Sequence, residues 1–339
     1  MLHLILTSGD PNGIGIEVCI KALMRLSDDV REQVQFSLAI HPKTFWDYVA
    51  QMNLPVHHTE SGFVVEKCEC RIIPCDTKVQ VEFGTETEAA GALSWGSLRT
   101  SAEMLRERRA DAVVTMPVSK RALHLAGFPF PGQTEFFANE FQTNKQMMIL
   151  ATEAAELDPK RSPVRVGLAT VHVPLQSVAG MLTRERVQER VIALDATLRK
   201  DFGIAAPRIA VLGVNPHAGE QGDIGREELE TILPALEASQ NMGIRAEGAF
   251  PADGFFAHGA YRNFDGILAM YHDQGLIPLK LLAGNGGVNF SAGLPIVRTS
   301  PDHGTAFPLA GKGIANESSV VDAIQMAIKI IHNRRNTAL

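Results

Sequence analysis

The chain reads as an α/β protein of two domains, each a mostly parallel sheet covered by helices. Three observations predict this. Short apolar runs, the mark of strands buried on both faces, alternate along the chain with longer segments of helical periodicity. At 339 residues the chain is long for one core and suits two domains of ordinary size. Finally, several apolar runs break at polar turns, and in open α/β sheets ligands lie outside the carboxyl ends of the strands.

The elements follow in order. Leu2 to Leu6 is a first strand, and Ser8 to Gly15 turns into a helix through Glu17 to Leu26. Strands at Gln35 to Ile40, Arg71 to Pro74, Ala112 to Thr115 and Met147 to Ala151 alternate with helices at Thr44 to Met52 and about Glu86 to Arg108. The turn Phe130 to Phe136 leads into another helix, with Thr134 a candidate N-cap. The polar, acidic stretch Thr152 to Pro163 reads as an exposed hairpin or loop. Beyond it come helices at about Arg184 to Asp201 and Arg226 to Met242, the strand Gly266 to Met270, a glycine-rich loop from Ser300 and a last helix from Ser319 to about Asn333.

Bulk properties narrow the function classes. A net charge of −6 argues against a nucleic-acid surface, which needs a basic face. No segment approaches the roughly 18 apolar residues of a membrane span. The run Leu2 to Leu6 lacks a basic flank and meets Gly-Asp-Pro at once, unlike a signal peptide, so a cytoplasmic protein is expected. Cys19, Cys68, Cys70 and Cys75 carry no zinc-finger spacing and are expected as free thiols.

The chemistry concentrates at strand ends. VRVGLATVH ends a strand at His172, RIAVLGVNPH ends another at His217, and Gly266 to Met270 is followed by His272. Three histidines at corresponding ends can converge on one ion. Imidazole suits Zn, Co, Ni or Fe better than Mg or Ca, and three protein ligands leave positions open for substrate. Asp273, beside His272, is either an orienting carboxylate or an exposed one. Lys280, Asn289 and Arg298, separated by glycine-rich turns, suit an anionic ligand. The glycines of Gly9 to Gly15 suit either an anion at a helix start or a plain tight turn. Lys120 is either a helix-start surface lysine or a group facing the ligand.

Two resemblances follow. The stretch His303-Gly304-Thr305-Ala306, then Gly311 to Asn316, resembles the adenosine-binding loop of the isopropylmalate and isocitrate dehydrogenases, which bind NAD or NADP without a Rossmann fingerprint. The set Gly-Asp-Pro-Asn-Gly-Ile-Gly (9 to 15), Met-Pro-Val-Ser-Lys (116 to 120), Gly-Gln-Thr-Glu-Phe (132 to 136), Asn-Pro-His-Ala-Gly-Glu (215 to 220) and His-Asp-Gln-Gly (272 to 275) resembles the 4-hydroxythreonine-4-phosphate dehydrogenase family of vitamin B6 biosynthesis, over essentially the whole chain.

That resemblance implies an isocitrate/isopropylmalate dehydrogenase-like fold with its active site in the interdomain cleft. A cofactor-side domain of residues 1–130 plus 300–339 and a metal, substrate and dimerisation domain of residues 131–299 are expected. It implies His172, His217 and His272 as metal ligands, with zinc first and cobalt or magnesium as alternatives, and Thr134, Lys280, Asn289 and Arg298 as substrate contacts. Gln133 stands where the family often has histidine; it can hold substrate but carries no proton at neutral pH. His303, Gly304, Thr305 and Asn316 are the cofactor contacts. The acidic insert is longer than usual for the family.

The implied reaction is NAD(P)-linked oxidation of 4-phosphooxy-L-threonine to a β-keto acid that loses CO2, giving 3-amino-2-oxopropyl phosphate. The general base is left between metal-assisted deprotonation through water and the candidates Asp253 and Lys280. The implied assembly is a homodimer with active sites built from both subunits, so the three histidines need not share a chain. Rivals are dehydrogenases of 4-phosphothreonate, related sugar acids or aromatic cis-dihydrodiols, and, further off, a metal-dependent hydrolase or a phosphate acyltransferase.

Overall fold

The structure is a computed structural model and describes residues 1–153, 163–284 and 286–337. Most of the acidic insert expected between Thr152 and Pro163 lies outside the described residues. Thirteen strands are present among them: β1 (Leu2–Thr7), β2 (Val34–Ile40), β3 (His57–His58), β4 (Gly62–Val65), β5 (Cys68–Pro74), β6 (Ala112–Val114), β7 (Met147–Thr152), β8 (Val164–Leu168), β9 (Arg208–Leu212), β10 (Arg245–Phe250), β11 (Gly266–Ala269), β12 (Val288–Ala292) and β13 (Val297–Pro301). The chain divides into two compact units, one of Met1–Asn144 with Leu294–Ile331, the other of Lys145–Gly293 with His332–Leu339.

In the first unit the strand order is β13-β6-β1-β2-β5-β4-β3. The pairs β1/β2, β1/β6, β6/β13 and β2/β5 are parallel; only the short β3-β4-β5 meander is antiparallel. Leu4, Ile5, Leu6, Phe36, Leu38, Val113 and Val114 are buried, as uninterrupted apolar strands between helices should be. The helix Glu88–Arg106 starts where Thr87 accepts a hydrogen bond from Ala90 N at 3.2 Å. The helix Gln133–Glu140 belongs to this unit, tied by an ion pair of Glu140 with Arg106. The division therefore falls after Asn144, beyond this helix, where the sequence suggested residue 130.

In the second unit the order is β10-β9-β11-β8-β7-β12. Its central strands β9, β11 and β8 are parallel neighbours, and β7 and β12 run antiparallel at one side. The helix His272–Ala283 packs Leu276, Leu279 and Ala283 against Val166, Leu168, Ala210, Leu212, Ile267 and Ala269 of those strands. This packing fixes the first residue of the helix, His272. No helix among the described residues is long and apolar enough to cross a membrane. The four cysteines are free and buried, and burial pushes the Cys19 thiol up to about 12 and the Cys68 and Cys75 thiols to about 11, so they stay protonated and inert.

Candidate active site

The three histidine-bearing segments leave adjacent strands of one parallel sheet, and side chains lace those strand ends together. Thr170 Oγ1 donates to Met270 O at 2.7 Å, joining the exit of β8 to that of β11. Gln274 Oε1 accepts from Met270 N at 2.7 Å while its Nε2 donates to Gly213 O at 2.6 Å, joining β11 to β9. His172 follows β8, His272 follows β11 and His217 follows β9, so one hydrogen-bonded line runs beneath all three.

The His172 and His272 rings face each other with centroids 5.6 Å apart. Two imidazoles bound to one ion through nitrogens at about 2.0–2.1 Å hold their ring centres roughly 5 Å apart, so this pair fits a shared metal. His272 Nδ1 lies 2.7 Å from Asp273 Oδ1, and His217 Nδ1 lies 3.2 Å from Glu220 Oε2. A carboxylate on one ring nitrogen, leaving Nε2 outward, is the usual second contact of a metal-binding histidine. Asp273 thus takes the orienting position. Within the single chain, no group of three or more His, Cys, Asp or Glu side chains among the described residues is arranged to hold a metal ion. The chain brings two of the three imidazoles together, and His217 stands 69% exposed on its own turn.

That turn is unusual. His217, Ala218, Gly219, Glu220 and Gln221 all have left-handed backbone, with φ of 54, 52, 79, 43 and 55°. Each L-residue so placed costs about 1–2 kcal/mol, and only Gly219 escapes the penalty. The opposing contacts come from Glu228, a buried carboxylate whose Oε1 accepts from Val214 N at 2.7 Å and Asn215 N at 2.8 Å, and whose Oε2 accepts from Asn215 Nδ2 at 2.9 Å. Nothing local in the sequence marks Glu228, since its partners lie more than a dozen residues upstream.

In the first unit Arg298, on β13, is buried. Its Nε and Nη2 donate to Thr115 Oγ1 at 3.0 and 2.7 Å, and its Nη1 donates to Thr134 Oγ1 at 3.2 Å. Gln133 Oε1 accepts from Arg298 at 3.4 Å while Gln133 Nε2 donates to Met116 O at 3.2 Å, so the amide uses both of its hydrogen-bonding senses. Burial pushes the guanidinium down to about 10, with Glu135 acting in the opposite sense; it stays cationic at neutral pH. Thr134 is not the N-cap, as Gly132 occupies that position; it sits in the first turn and meets Arg298 instead. Thr115, the closest partner of Arg298, was missed because a threonine ending a strand carries no distinguishing pattern.

The remaining candidates are spread over both units. In the second, Lys280 is exposed two turns along the helix from His272, and Asn289 lies on β12. Asp253 is exposed in the first turn of the helix Ala252–Ala257. In the first unit, Lys120 is the exposed first residue of a helix capped by Ser119, which favours the plain helix-start reading.

The Gly9 to Gly15 turn is structural in its hydrogen bonds. Gly13 N donates to Asp10 O and Ile14 N to Thr305 O, each at 3.1 Å, so these N–H groups are not aimed at an anion. A Cβ at Gly13 would come within 2.9 Å of Thr305 O, so only glycine lets the 303–316 loop approach this closely. In that loop His303 Nδ1 lies 3.0 Å from Gly304 O and its buried Nε2 has no partner among the described residues, a ring nitrogen a bound cofactor can satisfy. Gly304 and Asn316 are exposed, and Asn316 Oδ1 accepts from Ser318 N at 2.9 Å.

Comparison with known proteins agrees with the fold and the motifs. A family model described as pyridoxal phosphate biosynthetic protein PdxA matches residues 31–327. The chain belongs to the PdxA family. A 4-hydroxythreonine-4-phosphate dehydrogenase of Bacteroides thetaiotaomicron is 41% identical over 337 residues, covering 97% of this chain and 89% of that one. Among solved structures, the 4-hydroxythreonine-4-phosphate dehydrogenase of Klebsiella pneumoniae superposes with a TM-score of 0.82 at 35% identity, covering 98% of this chain and all of that one. A terephthalate 1,2-cis-dihydrodiol dehydrogenase from Burkholderia xenovorans is similar with a TM-score of 0.62 at 26% identity, covering 97% and 98%. The family match runs through both units rather than one of them.

Proposed function

We propose that this PdxA-family chain is an NAD(P)-dependent dehydrogenase of 4-phosphooxy-L-threonine, acting in pyridoxal phosphate biosynthesis. The observation that carries the metal part of this reading is the laced row of strand ends, with His172 and His272 paired and carboxylates on His272 and His217. The donor set is imidazole, which favours zinc or cobalt over magnesium. A divalent ion bound there would polarise the C3 hydroxyl, and bound NAD(P)⁺ would take the hydride from C3.

The chain's own residues do the rest. Arg298, held by Thr115 and Thr134 with Gln133 beside it, offers a preorganised cation for the phosphate or carboxylate of the substrate. Lys280 and Asn289 are further substrate contacts. Asp253 and Lys280 are the candidates to receive the hydroxyl proton. Oxidation leaves a β-keto acid, which loses CO2 to give 3-amino-2-oxopropyl phosphate. His303, Gly304, Thr305 and Asn316 hold the cofactor.

The metal site is completed in a homodimer. Leu175, three residues after His172, and Ile277 and Leu281, one turn apart on the helix that begins at His272, are 72%, 59% and 81% exposed, apolar surface that a second copy would cover. A neighbouring subunit's histidine would then supply the third ligand. Free thiols and a nicotinamide cofactor suit the cytoplasm.

The test is reduction of NAD⁺ or NADP⁺ by metal-loaded protein given 4-phosphooxy-L-threonine. Reduction should stop with a chelator, and His172→Ala and His272→Ala should each lose metal and turnover together while keeping their circular dichroism spectrum. Turnover in metal-free protein, or faster turnover of 4-phosphothreonate, would overturn the assignment. The likeness to the dihydrodiol dehydrogenase supports a second reading, an aromatic cis-dihydrodiol carboxylate as substrate, and the same assay with that compound decides it.

A further inference from the structure

We infer that Glu228 is a positioning residue for the metal centre: its buried carboxylate holds the left-handed turn that presents His217. The inference rests on the reading of His217 as a metal ligand and adds what keeps that ligand in place.

The handedness of the turn is intrinsically unfavourable. Five successive left-handed residues run from His217 to Gln221, four of them with a Cβ that disfavours the conformation. Besides the short-range bonds of a 3-10 turn, Ala218 N donates to Asn215 O at 3.1 Å, Asp223 N to Glu220 O at 3.2 Å and Ile224 N to Gly219 O at 3.1 Å, none of which removes the cost of the left-handed backbone. Glu228 supplies the external restraint. It gathers Val214 N, Asn215 N and Asn215 Nδ2 on two oxygens, and Glu227 Oε2 accepts from the same Asn215 amide at 2.7 Å. The chain is thereby clamped two residues before His217. On the far side Gly219 touches the same carboxylate, where a Cβ would fall 2.5 Å from Glu228 Oε2. The carboxylate thus sits against the turn both before and after the imidazole, without touching the imidazole itself.

A side chain that fixes the backbone on both sides of a ligand determines where that ligand points. Strained backbone held by its surroundings is a recurring feature of functional sites. Removing the carboxylate lets residues 217–221 relax toward ordinary conformations and carries the imidazole off its coordinating line.

The experiment measures Co²⁺ and Zn²⁺ affinity by chelator competition, and the visible spectrum of the Co²⁺ form, for His217→Ala, Glu228→Ala, Glu228→Gln and the His217→Ala/Glu228→Ala double variant. Glu228→Ala should weaken metal binding by about 10–100-fold and alter the Co²⁺ spectrum. Glu228→Gln keeps an acceptor for the two backbone N–H groups and should recover most of that loss. In the double variant the Glu228 substitution should add nothing to the loss caused by His217→Ala, because it acts through that ring. If His217→Ala binds metal like the parent, the reading of His217 as a ligand fails. If His217→Ala loses metal while Glu228→Ala keeps parental affinity and spectrum, or if the two losses add, the positioning role fails and the ligand reading stands. Should Glu228→Ala not fold, Gly219→Ala, whose Cβ would meet the Glu228 carboxylate, decides the question alone and combined with His217→Ala on the same two criteria.

Discussion

Arg298 and Asp10 show two outcomes of burying a charge. Arg298 is buried yet stays cationic, with the hydroxyls of Thr115 and Thr134 and the amide oxygen of Gln133 accepting from its guanidinium and Glu135 favouring its charge. Asp10, in the glycine-rich turn, is fully buried, and burial pushes its carboxyl up to about 6, the bond from Asn12 N acting the other way. The folded state therefore holds this proton more tightly than the unfolded chain. The stability that goes with the protonated form is complete below about pH 4 and is lost as pH rises through 6. A shift of this size amounts to on the order of 2–3 kcal/mol. Replacing Asp10 with Asn removes the ionisation, so the variant should gain stability relative to the parent between pH 4 and 7. Urea unfolding at both pH values measures this; a constant difference between the two proteins would rule out the burial argument.

Among the elements, the helix Gly15–Arg25 has a task beyond packing. Glu17, Lys21 and Arg25 recur every four residues along one face, and each binds the segment at or just after the loop proposed to hold the cofactor. Glu17 Oε1 accepts from Ala315 N at 2.9 Å, Lys21 Nζ donates to Gly313 O at 2.9 Å and Ala315 O at 3.1 Å, and Arg25 pairs with Glu317 at 2.7 Å. Lys21→Ala should therefore weaken NAD(P)⁺ binding several-fold, by roughly the 1 kcal/mol of a hydrogen-bond loss, while turnover at saturating cofactor stays near parental. Calorimetric titration of the cofactor, set beside kcat, checks this. The same contrast explains what was legible in the sequence. The strands ending before His172, His217 and His272 could be read because apolar runs bounded by turns encode buried strands directly. The left-handed turn could not, since Asn-Pro-His-Ala-Gly-Glu contains one glycine and its geometry is imposed by Glu228. The β3-β4 hairpin was missed for a related reason: His57-His58 is polar and exposed, with no alternation to find.

For the molecule as a whole, the sequence pattern carried the fold class, because alternation of strand and helix over more than 300 residues admits few architectures. Which subunit supplies each of the three proposed histidine ligands could not be read from it, because on the proposed dimer that depends on association between copies and is not encoded in any one segment. If the proposed dimer forms over Leu175, Ile277 and Leu281, then Leu281→Glu should yield a monomer in light scattering with metal content much reduced, although Leu281 is itself no ligand. A dimeric, fully metallated Leu281→Glu protein would place the interface elsewhere. The Gln274 bridge offers a way to follow such changes. The Met270 amide hydrogen is held by a side chain rather than by a neighbouring strand. Its rate of exchange with deuterated solvent should therefore rise in Gln274→Ala while the amides of Ile267 and Leu268, inside β11, remain slow. That single peptide becomes a label-free gauge of whether the floor under the histidines is intact, readable by mass spectrometry in protein carrying neither metal nor substrate.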